Sequence, residues 1–454
     1  MNRYAGAQKW LILFATSAIF SLFLLDETVF GPALPHMQAA LGPSPIAIHW
    51  VINSYLLAFA CFATLGGILR EFYGLKAVLC VSGAVFLTGS LLGGLAQDAW
   101  LVVLARGFQG IGGGILFPVS MLVVASAFPK DRRGMALGTL ASAGTTFLAL
   151  GPILGGALTE YASWRWIFLL NVPVFLFGAT VILVLANDKH EFPAQKHTDY
   201  MGFVLLLSGL SLLVFGLMEA PEQGLVRYLA IAAVIVGVTI TALFFRHEAR
   251  VREPLINVGL LSKPSMLAGC ATVFTGQFCK LTVAIFAAFY FHKVLHFSAF
   301  YSGLATSVSV LLVPFSTAIG GRVTDIYGSR APILAGLAGM AVTMTGVAVS
   351  THFGLLYTTL VALFTFGIFM PLCYVPALQL VLTQTAPNLH GEVMGVQTAA
   401  KVIGGTFGVT VASFLLALTG QFAVVFLGAA ALSLVVLGIA LLLAHDAELA
   451  VFKS

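Results

Sequence analysis

Long apolar runs broken by short polar turns recur along this chain from Trp10 almost to its end. Fourteen such runs stand out: 10–30, 49–69, 77–96, 100–127, 134–157, 165–187, 201–219, 225–245, 266–291, 301–321, 332–350, 354–383, 391–418 and 420–444. Each is about the 18 residues or more that a helix needs to cross a bilayer. The pattern predicts an all-α polytopic membrane protein with about fourteen transmembrane helices. The connections are short, and the longest polar ones, 187–200 and 246–264, bracket runs seven and eight.

The polar residues inside the runs are few and therefore informative, because an ionisable side chain in the bilayer core costs several kcal/mol unless it is paired or faces water. Asp26 and Glu27 lie in the outer half of the first run, and no other acid sits well inside one. As neighbours on a continuous helix they would point about 100° apart. Asp26 would sit roughly 24 Å from the inner end of its helix and Arg106 about 9 Å from the outer end of its own. The two depths match in a ~30 Å core, so Arg106 is the natural partner of Asp26. A carboxyl beside a movable cation can load and release a proton, which makes Asp26, Glu27 and Arg106 the expected proton-coupling group. Lys280 shares a helical stripe with Gln277, Ala284 and Ala287, and Lys401 shares one with Gln397, Gly404 and Gly408. Stripes of small and polar residues face an interior rather than lipid. Lys280, Gln277, Lys401 and Gln397 are the expected substrate contacts, together with Gln109.

Composition agrees: of 454 residues, 59% are hydrophobic and only 9% charged, with a mean hydropathy of +1.02. A soluble domain of this size would need far more charge on its surface. The net charge of +5 matters less than its placement. With the amino terminus inside, sixteen Lys and Arg fall in inner segments and only Arg165, Arg227 and Lys293 in outer ones. That bias predicts that both termini are cytoplasmic, and the expected location of this all-α chain is the cell (inner) membrane. The first run is too long for the apolar core of a cleaved signal peptide and lacks its small-residue site. The five cysteines all lie in apolar runs, where they read as packing residues. No phosphate loop, metal-ligand spacing or hydrolase serine turn is evident, so no enzyme activity, cofactor, metal or nucleic-acid partner is expected. His292 and His296, four apart at an outer helix end, read as coincidence.

One turn occurs twice. Gly66-Gly67-Ile-Leu-Arg-Glu71-Phe-Tyr73-Gly74-Leu-Lys76 follows run two, and Gly320-Gly321-Arg-Val-Thr-Asp325-Ile-Tyr327-Gly328-Ser-Arg330 follows run ten, every matched pair being 254 residues apart. Parallel halves of six helices with runs seven and eight inserted between them produce that spacing. The expected division is therefore 1–187, an N-terminal six-helix bundle; 188–264, two inserted helices with their linkers; and 265–454, a C-terminal six-helix bundle.

The turn pattern Gly-x-x-x-acid-x-x-Gly-x-base resembles the loop signature of the major facilitator superfamily. Leu25-Asp26-x-Thr28 with Ala33-Leu34-Pro35, then Trp50 and Tyr55, resembles its fourteen-span drug:proton antiporter branch. Arg106-Gly-Phe-Gln109-Gly110, Gly151-Pro152-x-x-Gly155-Gly156, the Trp164–Pro173 stretch and Asp199-x-x-Gly202 are similar to motifs of the same branch and occur in the same order. The chain departs from the branch at Glu71, Phe72 and Leu75 in the first turn, at Ala143 and Phe147 before the Gly-Pro motif, and at Gly31-Pro32 in run one.

The resemblance implies a secondary active transporter working by alternating access: proton-coupled efflux of a small organic compound or drug, by a monomer whose partners are substrate, protons and lipid. It also implies gating and structural roles for Gly67, Glu71, Gly74, Lys76, Gly151, Pro152, Gly155, Gly156, Gly321, Asp325, Gly328 and Arg330. Three bases against two acids within the runs leave open a carrier of an organic anion, such as a siderophore or carboxylate metabolite. A non-transporting membrane receptor is a third possibility, disfavoured by the lack of a sizeable soluble domain.

Overall fold

A computed structural model describes residues 6–42, 45–129, 132–186, 199–251, 254–261, 263–385 and 389–451. Arg3, Lys130, Lys189, Lys196, Arg252 and Lys453, six of the bases that set the expected orientation, lie outside the described residues, as does the side chain of Glu71. Among the described residues the regular structure is entirely helical. Twelve of the described helices are long and apolar enough to cross a membrane. The other two expected spans are present in shorter form: run two contains the apolar helix Ile48–Ala63, and run ten is two helices with a break at 308–312.

In chain order the first helices are α1 (Gly6–Leu25), α2 (Leu34–Leu41), α3 (Pro45–Ala63), α4 (Gly66–Leu95), α5 (Ala99–Ala127), α6 (Arg133–Tyr161), α7 (Arg165–Leu169) and α8 (Asn171–Leu185). They continue as α9 (Tyr200–Glu219), α10 (Leu225–Glu248), α11 (Val258–Leu261) and α12 (Pro264–Thr282), a π-helical turn Val283–Ala287, then α13 (Ala288–Lys293) and α14 (Ala299–Ser307). The chain ends with α15 (Val313–Tyr327), α16 (Arg330–His352), α17 (Leu356–Phe369), a 3-10 turn Met370–Cys373, α18 (Val375–Thr383), α19 (His390–Thr419) and α20 (Phe422–Val451). Two compact units result. One comprises 1–198 with 296–307, and the other 199–295 with 308–454.

In the first unit, bare glycine faces let backbones approach closely, the usual way helices associate when lipid removes the hydrophobic drive. A Cβ on Gly110 or Gly114 of α5 would strike the Tyr55 or Phe59 carbonyl of α3, and one on Gly112 would strike the Ser82 carbonyl of α4. Gly107 meets nothing within 4 Å. On the other side, α14 packs on α6, with Gly156 against the Ala299 carbonyl and Gly303 against the Pro152 carbonyl. Helix α6 runs unbroken through Pro152.

In the second unit the continuous segment Pro264–Lys293, from α12 through the π-helical turn into α13, is central: 94% of its membrane-length window is buried, against at most 67% for any other such helix among the described residues. Gly404 and Gly408 of α19 rest on the Phe274 and Phe278 carbonyls of α12. Prolines punctuate this unit. Pro314 opens α15, and Pro371 and Pro376 flank the break between α17 and α18, because a proline has no N–H to continue the ladder.

The structure corrects one expectation and sharpens two boundaries. Run one is not a continuous helix to residue 30: α1 stops at Leu25 and residues 26–33 form successive turns before α2 resumes. Pro32 cannot donate a backbone hydrogen bond and disfavours the helical conformation at Gly31, so the ladder fails here. Helix α10 runs on to Glu248, beyond the expected end at 245. His292 and His296 do not share a helix end, since α13 stops at Lys293 and His296 has φ 55°.

The repeated turn is visible in the backbone. Gly74 has φ 81°, ψ 166° and Gly328 has φ 74°, ψ 174°, a region essentially restricted to glycine. Two glycines 254 positions apart thus make the same kink.

Candidate functional site

The charge cluster of the first unit is built where α1 breaks. Asp26 keeps a helical bond, its N–H to the Leu22 carbonyl at 2.9 Å, and its side chain is buried in the unit. Arg106, on α5, donates from Nη1 to Asp26 Oδ2 at 3.1 Å, and both side chains are sealed from the surface, at 0% and 1% exposure. The same Nη1 reaches Gln109 Oε1 at 3.0 Å, and Nε donates to the Val51 carbonyl at 3.1 Å. Gln109 in turn donates to Ser90 Oγ at 2.9 Å. The guanidinium carbon lies 4.0 Å from the Tyr55 ring centroid and 4.3 Å from that of Phe30. Planar stacking and directed donors of this kind suit arginine and not lysine.

The cluster is not fully satisfied. Among the described residues, Asp26 Oδ1 and Arg106 Nη2 have no hydrogen-bond partner, nor do the side-chain N and O of buried Asn171, although that amide lies close enough to act on the Asp26 carboxyl. Buried polar atoms are seldom left unpaired. Breaking a buried ion pair uncompensated costs about 3–5 kcal/mol, so this pair can rearrange only if a proton or a new partner takes up the charge that is released.

The turns that carry Asp26 are braced by α6. Thr28 donates its hydroxyl to the Leu148 carbonyl at 2.9 Å. Gly151 lies against Thr28 Oγ1 and Gly155 against the Val29 carbonyl, so close that a Cβ on either would collide. The Gly-Pro motif of α6 therefore seats the segment bearing the two acids. Glu27 is half-buried beside it.

The second unit holds a separate polar group. Lys280 (3% exposed) and Gln277 are buried on α12, and Lys280 sits just before the π-helical turn. Tyr374, between Pro371 and Pro376, donates its hydroxyl to Gln277 Oε1 at 3.0 Å, and Lys401 Nζ stands 5.5 Å from the Tyr374 ring centroid. Gln397 donates instead to the Ala377 carbonyl at 3.1 Å. Of the expected turn residues, Asp325 accepts from Gln379 of α18 at 3.3 Å. Among the described residues no cluster of His, Cys, Asp and Glu could hold a metal ion, and all five cysteines are free.

Sequence reasoning brought Asp26 and Arg106 together but passed over Ser90, Phe30 and Tyr374. A tyrosine framed by two prolines was the available sign for the last. The sequence holds no comparable sign for Ser90, placed by the packing of α4 on α5, or for Phe30, which lies in the turns after α1 stops.

The model of the Major Facilitator Superfamily matches residues 16–409 and 269–453. A relative named "Putative multidrug resistance protein MdtD" from Escherichia coli O139:H28 is 29% identical over 414 residues, covering 91% of this chain and 87% of that protein. Its namesake from Shigella boydii serotype 18 aligns to the same extent. Among solved structures, a POT family transporter in complex with a thioalcohol-conjugated peptide superposes with a TM-score of 0.74 at 12% identity, over 97% of this chain and 96% of the other. The xylose transporter XylE of E. coli, in a partially occluded inward-open conformation, does so with a TM-score of 0.66 at 14% identity, over 95% and 97%.

Proposed function

The chain belongs to the Major Facilitator Superfamily, and from that premise we propose that it is a proton-coupled exporter of small organic compounds or drugs, driven by titration at the Asp26–Arg106 pair. The observation that carries this reading is the buried 3.1 Å ion pair at the point where α1 breaks, with Asp26 Oδ1 and Arg106 Nη2 unsatisfied. Protonating Asp26 removes the charge that holds Arg106, and the guanidinium then gains by finding another acceptor. Proton occupancy thereby becomes a difference in free energy between two arrangements, which is what alternating access requires. Glu27 serves as an auxiliary acid.

In the same reading Gln277, Lys280, Tyr374 and Lys401 form the substrate-recognising surface of the second unit, with Gln397 and Gln109 in supporting roles. The drug-like substrate class rests on the MdtD relatives, at 29% identity. The protein acts as a monomer with both termini cytoplasmic, and residues 188–264 join two six-helix halves. The turn residues Gly67, Glu71, Gly74, Lys76, Gly321, Asp325, Gly328 and Arg330 act as conformational latches.

Purified protein in proteoliposomes tests the reading. An imposed proton gradient should drive accumulation of lipophilic drugs, and dissipating it should abolish accumulation while leaving substrate exchange. Equal accumulation with and without the gradient would remove proton coupling.

A further inference from the structure

The base of the α9–α10 hairpin holds a second pair of acids, on opposite helices. Asp199 caps α9: its Oδ1 accepts the Gly202 N–H at 2.8 Å, and His247 Nε2 lies 3.0 Å from both of its oxygens. Glu248, the last residue of α10, is only 2% exposed, and its Oε2 accepts the Ile256 N–H at 2.9 Å. Its other oxygen, Oε1, is buried and receives no donor from the described residues. A Cβ placed on Gly202 would fall on both Glu248 Oε1 and Asp199 Oδ2, so the two carboxyl groups converge on one bare stretch of backbone.

Two ionised carboxylates cannot share a buried contact without a donor between them. Asp199 is the one kept ionised. Burial pushes its carboxyl up, but the Gly202 N–H and His247 more than offset this and hold it below the usual carboxylate range. The donor must then come from Glu248, whose free oxygen faces Asp199. Among the described residues, Asp199 and His247 are the titratable groups that act on Glu248. His247 is committed to Asp199 and is 30% exposed.

We propose that Asp199 and Glu248 form a proton-binding site in which one proton, carried by Glu248, is shared with Asp199 and closes the base of the inserted hairpin. The same protonated carboxyl holds the Ile256 N–H, on the connection that leads through α11 into the buried helix α12. Loss of the proton sets two negative charges against each other. Although an ionised carboxylate is the stronger acceptor for the Ile256 N–H, the repulsion drives the Glu248 side chain away from Asp199, and the connection comes free at Ile256 as it moves. The site is distinct from the Asp26–Arg106 pair and does not draw on the coupling role given to Asp26.

Hydrogen exchange on the full-length protein in lipid nanodiscs tests this through peptides containing Ile256. Corrected for the intrinsic rate, protection in the unaltered protein should fall with rising pH, by up to about tenfold per pH unit over the range in which the closed site holds the proton and the opened carboxyl does not, and then level off. Glu248→Gln substitutes an amide N–H for the proton, donating to Asp199 while its carbonyl still accepts from Ile256. Asp199→Asn does so from the other side and remains a competent helix cap. Both should hold protection constant across the pH range, and either decides the matter if the other does not fold. His247→Gln should keep the dependence of the unaltered protein. Protection that does not change with pH in the unaltered protein would overturn the proposal. So would an amide variant that keeps the pH dependence, or loss of the dependence in His247→Gln, which would assign the titration to the imidazole.

Discussion

Thr28 is bonded through its hydroxyl to the Leu148 carbonyl of α6 at 2.9 Å, two residues after the acid that pairs with Arg106. This contact ties the glycine-rich motif of one helix to the broken end of another. The turns that present Asp26 are therefore shaped as much by α6 as by α1.

That dependence can be tested at Gly155, whose missing side chain makes room for the Val29 carbonyl. Gly155→Ala should destabilise the protein by about 1–3 kcal/mol, the usual cost of overpacking. Gly107→Ala, where nothing lies within 4 Å, should be neutral or slightly stabilising. Thermal unfolding in detergent, followed by size-exclusion chromatography, compares the two. Equal melting of both variants would show that the seat on α6 is not tight.

Asp26→Asn keeps the shape of the buried side chain and removes its titration. Gradient-driven accumulation should fail while substrate exchange across proteoliposomes persists. Full accumulation by the double variant Asp26→Asn, Glu27→Gln would move the coupling site elsewhere.

Arg106→Lys retains the charge but loses the Val51 bond and the planar stacking on Tyr55 and Phe30. Initial transport rates should fall about tenfold or more at equal expression, equivalent to roughly 1.4 kcal/mol or more. Wild-type rates in this variant would mean that a point charge suffices at the pair.

The matched kinks at Gly74 and Gly328 should be equally intolerant of a side chain. Alanine at either position is forced into a glycine-only region, costing about 1–3 kcal/mol. Expression and transport of Gly74→Ala and Gly328→Ala should drop together. A loss confined to one of them would break the structural equivalence of the two turns.

Lys280→Ala should raise the apparent substrate Kd by about 10–100-fold if this buried lysine contacts the substrate, corresponding to roughly 1.4–2.8 kcal/mol. Lys280→Arg should recover part of that affinity. Binding measured by tryptophan quenching or calorimetry separates the outcomes, and unchanged affinity in the alanine variant would exclude a substrate contact.

Much of this protein is written in its linear pattern because the bilayer enforces it. Every backbone group in lipid must be bonded internally, so a long apolar run has little choice but to be helical. The class and the approximate spans follow from that constraint, and the repeat at 254 residues is read from the two matching turns. Scarcity made the ion pair legible as well: a deep acid must find a deep base, and Arg106 lay at the matching depth. What spacing could not decide was where helices stop. The break after Leu25 depends on Gly31-Pro32 together with the seat that Gly151 and Gly155 provide. Only the tertiary structure could decide the burial of Glu248. An acid at the edge of a span, among Arg246, Arg250 and Arg252, reads as an ordinary loop charge. Its burial follows from the hairpin bringing residues 199 and 248 to one point, a contact between distant positions that helical periodicity does not encode.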